Sequence, residues 1–246
     1  MSSYHTTEHR KKGIGRLYGV GVGPGDPELL TLRAQHVLSQ VPVIFVPKKT
    51  KQSESIAESI VGNLTPGIKP KIVGLVLPML RDEEQLQEYW HQAATTIWQH
   101  LERGEDGAFV NVGDPLLYGT FIHILEKLQK SHPEIEVEVV PGISSINAAA
   151  ARTMVPLASN DDNIAIISGN LEDKAIRETL ENFNTVVFMK MNKLFDKLIE
   201  ILEGLNLMDK CVYVRRCTTK DEEIIWDISK LKGRKVDYFS LLIVRK

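Results

Sequence analysis

A chain of 246 residues with 43% hydrophobic and 25% charged positions has the composition of a soluble globular protein, which excludes disorder, collagen-like repeats and a coiled coil. Its 30 Lys and Arg against 32 Asp and Glu give a net charge of -2, which argues against a nucleic-acid partner. No apolar run approaches the roughly 20 residues that cross a bilayer, so no membrane partner is expected. Residues 1–13 form a polar stretch without the apolar segment of a signal peptide and read as a disordered tail of a cytoplasmic protein.

Short β-branched runs then alternate with segments of helical period. Arg16 to Gly21 reads as a strand, followed by a helix from Glu28 to Ser39, a strand at Val43 to Val46 and a helix from Ser53 to Leu64. Ile72 to Leu77 is the third strand. The long helix after it carries Leu86, Tyr89, Trp90, Ala93, Ile97 and Leu101 on one face, with Trp90 and Trp98 expected in the core. Ala108 to Val112 is the fourth strand and Thr120 to Gln129 the fourth helix. Repeated strand–helix–strand units imply parallel strands with right-handed crossovers.

The helical pattern stops at Ser131-His132-Pro133, and the strand Ile135 to Val140 is read as opening a second set. A helix from Ser144, a strand at Asn163 to Ile167, a helix from Glu172 to Glu181, a strand at Thr185 to Met189, a helix from Leu194 to Leu202 and a strand at Cys211 to Val214 follow. Glu223 to Asp227 and Tyr238 to Val244 come without long helices between them, which points to antiparallel pairing late in the chain. The expected fold class is therefore α/β in two lobes, 14–131 with a mostly parallel sheet and 132–246 with a mixed one.

Two cysteines make no disulfide framework, and along a strand Cys211 and Cys217 lie roughly 20 Å apart, beyond disulfide reach. The seven histidines are scattered, without an H-E-x-x-H pattern, so no metal site is expected.

Chemistry concentrates in three loops, each at the carboxyl end of a strand, where open α/β sheets bind ligands. The first is Gly19-Val20-Gly21-Val22-Gly23-Pro24-Gly25-Asp26-Pro27. Its glycines permit a sharp turn and close backbone approach, yet the dinucleotide pattern G-x-G-x-x-G fails, because the third position is Pro24 or Asp26 depending on the starting glycine. A dehydrogenase is disfavoured. Asp26-Pro27 suits the start of a helix, with Asp as cap and Pro in the first turn. The second loop, Gly113-Asp114-Pro115-Leu116-Leu117-Tyr118, repeats that device, and the third is Val140-Pro141-Gly142-Ile143-Ser144-Ser145.

In this order and spacing the three loops resemble the signature loops of the tetrapyrrole (corrin/porphyrin) methylases, and the resemblance runs from Gly15 to Val244. Leu17-Tyr18-Gly19-Val20-Gly21, Val46-Pro47-Lys48, Arg81-Asp82-Glu83-Glu84 and Leu116 to Phe121 are most similar to the branch that methylates C20 of precorrin-2 or cobalt-factor II. The resemblance implies S-adenosyl-L-methionine bound in a cleft between two α/β lobes of a homodimer. By position it implies cofactor contacts at Gly23, Pro24, Gly113, Asp114, Leu117, Ser144, Ser145 and Met189. Near Cys217 the family tends to have a small residue, so no contact is carried over there.

Methyl transfer from a sulfonium is an in-line displacement that needs alignment and exclusion of water more than a strong acid or base. The only catalytic candidate is Tyr118, to hydrogen-bond the substrate or take its meso proton, against its other reading as a packing residue in a first helical turn. The polycarboxylate substrate calls for local cations. Lys48, Lys49, Lys190 and Arg216, together with Arg81 and Arg215, follow strands and are candidates for it, against their reading as solvated surface charge. Methylation at another ring position or of a macromolecule, or a non-catalytic nucleotide-binding module, are the alternative readings.

Overall fold

The computed structural model describes residues 13–53, 55–62, 70–78, 80, 82–169, 171–191 and 194–246. The expected tail, Arg81 and the end of the expected second helix lie outside them. No helix among the described residues is long and apolar enough to cross a membrane. Two compact units result, one ending at Ile143 and the other spanning Ser144–Lys246.

The first unit holds β1 (Leu17–Gly21), α1 (Leu32–Gln40), β2 (Val43–Lys48), α2 (Ile56–Gly62), β3 (Lys71–Val76), α3 (Glu83–Leu101), β4 (Gly107–Asn111), α4 (Phe121–Ser131) and β5 (Val137–Val140). The strands are ordered β3-β2-β4-β1-β5 and every pairing is parallel. The central strands are covered on both faces, so Val43–Val46 and Ala108–Val110 are apolar throughout and the period of two sorts their side chains between two cores. Ile44, Val46, Ala108 and Val110 meet Ala34, Val37 and Leu38 of α1 and Ala57 and Ile60 of α2. Val43, Phe45 and Phe109 face the other way, onto Ala93, Ile97 and Leu101 of α3 and Phe121, Ile124 and Leu128 of α4. Gly19 belongs to this packing: a Cβ there would sit 2.3 Å from the Phe121 ring. Trp90 and Trp98 are half-buried and stack on His123 of α4 and on His132, the cap just after it, with ring centroids 3.9 and 3.6 Å apart.

One expectation needs correction. The strand read as opening the second lobe is β5, which pairs with β1 from Leu17↔Val137 to Val20↔Val140. The first unit therefore continues to Ile143 instead of closing at residue 131. Pairing gives the outer edge of β1 a hydrogen-bonded neighbour, and Arg16 and Arg33 hold Glu136 and Glu138 of the β5 segment at 2.7 and 2.6 Å.

The second unit holds α5 (Ser145–Thr153), β6 (Ile164–Ser168), α6 (Asp173–Asn182), β7 (Thr185–Met189), α7 (Phe195–Gly204), β8 (Cys211–Arg215), β9 (Glu223–Ile225) and β10 (Ser240–Arg245). Its sheet is ordered β6-β7-β10-β8-β9 and is mixed: β6 and β7 are parallel, while β10 runs antiparallel to both β7 and β8. Only β8 and β9 pair antiparallel across a short connection; β10, on the other side of β8, arrives after the longer stretch 226–239 and is antiparallel to β8 as well. Ile176, Leu180, Phe195, Leu198, Ile199 and Leu202 of the two helices pack on Val186, Phe188, Tyr213 and Leu242 of the sheet. Cys211 and Cys217 are free and buried, and burial pushes both thiols up to about 12, so they stay protonated at neutral pH.

Candidate active site

Because β1 lies between β4 and β5, the loops leaving the carboxyl ends of these three strands are neighbours. They are tied backbone to backbone. The Val22 N–H donates to the Asn111 carbonyl at 2.9 Å and the Gly113 N–H to the Gly23 carbonyl at 2.8 Å, so that Gly23 and Gly113 form a one-residue antiparallel bridge. Both have positive φ, +77° and +74°, a region open to glycine at little cost.

Gly21 and Gly142 have a different role. A Cβ on Gly21 would lie 2.5 Å from the Gly142 nitrogen, and one on Gly142 would lie 2.2 Å from the Gly113 carbonyl oxygen. Close approach at these two positions is of loop to loop.

Two side chains hold the second loop. Asp114 accepts from the Leu116 N–H at 2.9 Å and, through its other oxygen, from the Gly142 N–H at 3.1 Å, so one carboxylate joins the second loop to the third. Asn111, buried at the end of β4, donates its amide to the carbonyls of Val112 at 2.9 Å and Asp114 at 3.1 Å. Sequence reasoning passed over Asn111. Its signal was a lone amide in an apolar strand, three residues before Asp114.

The expected helix starts are displaced. Asp26 does act as a cap, accepting from the Glu28 N–H at 2.9 Å, but the turn it starts is a 3-10 turn at Pro27–Leu29. The α1 helix begins at Leu32 under a separate cap, the Thr31 hydroxyl accepting from the Ala34 N–H. After Asp114 the chain makes an irregular turn, and α4 starts only at Phe121. Tyr118 is thus not in a first helical turn. It sits on that irregular turn with φ +54°, 42% exposed, and Leu117 beside it is half-buried. Pro24 is buried. Lys48 lies inside β2 and pairs with Glu58 of α2 at 2.8 Å, while Lys49 is exposed.

In the second unit Ser144 caps α5, its hydroxyl donating to Asn147 Oδ1 at 2.6 Å and accepting from the Asn147 N–H at 3.3 Å. Ser145 is the first helical residue and half-buried, and Met189 ends β7. Lys190 follows with φ +55° and its Nζ 5.6 Å from the centre of the Tyr238 ring. Arg216, also left-handed at φ +46°, is held by Asp237 at 2.8 Å and Asp221 at 3.4 Å. Glu222 accepts from the Thr218 N–H and pairs with Arg152 at 2.7 Å, folding the β8–β9 turn onto α5.

These carboxylates set an acid limit on stability. Burial pushes the carboxyls of Asp237 and Glu222 up, but the Arg216 guanidinium with the Phe239 N–H, and the Arg152 guanidinium with the Thr218 N–H, together outweigh it. Arg245 and the Ser159 N–H hold Asp162 low as well. A carboxyl lowered on folding stabilises above its ordinary range and stops doing so as pH falls through its folded value. The melting temperature of the protein is therefore expected to fall as pH drops from about 5 toward 2, and Asp237→Asn to flatten that slope. Thermal melts at a series of pH values check this; a flat profile contradicts it.

The family model of the Tetrapyrrole (Corrin/Porphyrin) Methylases matches residues 16–232. The chain is 37% identical over 240 residues to a probable cobalt-precorrin-2 C(20)-methyltransferase of Methanocaldococcus jannaschii, covering 96% of this chain and 98% of that one. It is 29% identical over 233 residues to the cobalt-precorrin-2 C(20)-methyltransferase of Salmonella typhimurium, covering 94% and 97%. Among solved structures, a cobalt precorrin-4 methyltransferase matches with a TM-score of 0.71 at 20% identity over 94% of each chain. The uroporphyrin-III C-methyl transferase of Thermus thermophilus, complexed with S-adenosyl homocysteine, matches with a TM-score of 0.67 at 24% identity, covering 94% of this chain and 92% of that one. These two share the fold. With the family model spanning the whole sequence from the first strand to the turn before the last, and a relative 37% identical along almost its full length, the chain belongs to the tetrapyrrole (corrin/porphyrin) methylases.

Proposed function

We propose that the protein is an S-adenosyl-L-methionine-dependent C-methyltransferase that methylates C20 of precorrin-2 or cobalt-factor II. The likeness to two C20-methyltransferases over more than nine-tenths of the chain supports the position. The geometric observation that supports cofactor binding is the bridge between Gly23 and Gly113, which leaves two left-handed backbone segments side by side at the carboxyl ends of β1 and β4. Such segments meet a zwitterionic ligand with N–H and C=O groups at no side-chain cost, which fits S-adenosylmethionine. Gly23, Pro24, Gly113, Asp114 and Leu117 are the residues we assign to it, and Ser144, Ser145 and Met189 are assigned on the resemblance alone. When bound, the cofactor supplies an electrophilic methyl on a positive sulfur.

Tyr118 is proposed to hydrogen-bond the substrate or receive its meso proton. Lys49 and Lys190 are proposed as substrate cations, together with Lys48 and Arg216, which also pair with Glu58 and Asp237. A homodimer in the cytoplasm completes the reading, and two buried free thiols suit a reducing compartment.

Incubation with S-adenosylmethionine and each tetrapyrrole separately is expected to place a new methyl at C20 by NMR. A methyl elsewhere on the ring, or binding of S-adenosylhomocysteine without turnover on either substrate, would refute the assignment.

A further inference from the structure

An open cavity of about 580 Å³ lies in the second unit at the end of the sheet where β8 finishes and β10 begins. Arg215, Glu223, Arg234, Lys235, Asp237 and Tyr238 are among its lining residues. Their charges divide into two groups. Arg215 is neutralised by Glu223 at 3.0 Å, and Asp237 is taken by Arg216 at 2.8 Å. Arg234 and Lys235 remain, both exposed and without an ion pair among the described residues. Lys190 brings a third cation to the cavity's edge, against the Tyr238 ring.

The cavity is thus a concave surface with an aromatic face and an excess of positive charge. An acidic ligand that meets Arg234 and Lys235 breaks no existing pair, whereas one that reaches Arg216 must displace Asp237. Each exposed contact is weak, but a ligand carrying several carboxylates on one rigid ring makes them together without a separate association cost for each.

Resting on the reading of the protein as a tetrapyrrole methylase, we propose that Arg234 and Lys235 bind carboxylate arms of the tetrapyrrole substrate at this cavity. They are specificity residues for a polycarboxylate and touch no reacting atom.

The test is the full-length double variant Arg234→Gln/Lys235→Gln, with Lys174→Gln on α6 as a control for charge alone. Two exposed contacts predict a roughly 2- to 30-fold rise in the KM for the tetrapyrrole, with kcat and the KM for S-adenosylmethionine unchanged. The difference from the parent should narrow as salt rises from about 0.05 to 0.5 M. Uroporphyrin, a stable polycarboxylate porphyrin, gives a binding readout that needs no turnover, and its Kd should rise by the same factor. An unchanged KM and Kd at low salt, an equal loss for both substrates, or the same loss in Lys174→Gln overturns the proposal. A parent protein that binds uroporphyrin through these two residues but transfers no methyl would overturn the enzymatic reading and leave the site standing. A parent that neither binds uroporphyrin nor methylates either tetrapyrrole would overturn both.

Discussion

Gly142→Ala is expected to be among the most damaging single substitutions in the first unit. The new methyl would fall 2.2 Å from the Gly113 carbonyl oxygen and 2.7 Å from the Gly21 Cα, against backbone on both sides. No rotamer relieves such a clash, because Cβ has none, so the loops must separate. Overpacking costs about 1 to 3 kcal/mol, and with backbone on both sides the upper end is expected here, a fall in melting temperature of roughly 6 to 12 °C for a chain of this size. Separation also breaks the Gly142-to-Asp114 hydrogen bond and moves the second loop, so S-adenosylhomocysteine affinity should fall by more than about tenfold. Gly62→Ala in α2, where nothing lies within 4 Å of the added carbon, should leave the affinity unchanged and the melting temperature unchanged or raised by up to a few degrees. Calorimetric melts and titrations on the two variants decide the matter; near-parent behaviour of Gly142→Ala would show that the three-loop junction is not packed as described.

Asp114→Ala should damage the same junction by a different route. The substitution adds no bulk but leaves the N–H groups of Leu116 and Gly142 without their acceptor. The loss of an acceptor at the partly buried Gly142 N–H costs about 1 to 3 kcal/mol, while the exposed Leu116 N–H can turn to water at little cost. Asp114→Asn separates the contributions, since an amide oxygen serves one N–H while its NH2 opposes the other. The expected order of stability and of S-adenosylhomocysteine affinity is parent, Asn, Ala. If alanine weakened ligand binding strongly without lowering the melting temperature, Asp114 would serve the ligand alone and would not also be a latch between loops.

Much of this architecture is written in local pattern. The apolar runs at Val43 to Val46 and Ala108 to Val110 are buried on both faces, and the segments between them have helical period, so a parallel sheet covered on both sides was legible before any coordinates. The short link between Cys211–Arg215 and Glu223–Ile225 announced antiparallel pairing in the second sheet. The order and spacing of the three glycine-bearing loops carried the resemblance to the family, since such motifs are contiguous in sequence.

What local pattern does not contain is the partner. Val137–Val140 has the same strand propensity whether it opens a new sheet or extends an old one, and its pairing with β1 was decided by a free edge more than 110 residues earlier in the chain. The glycines of the first loop look alike in sequence, yet Gly19 makes room for Phe121, Gly21 for the third loop, and Gly23 supplies a left-handed turn. Lys48 and Arg216 looked available because their acidic partners, Glu58 and Asp237, stand 10 and 21 residues away in sequence and meet them only through packing. By itself the sequence determined which segments are strands and helices and which loops carry the chemistry, since those follow from propensity and period. Only the tertiary structure decided which edge each strand joins, what each glycine is for and which charges remain unpaired, because each of these depends on contacts between residues far apart in the chain.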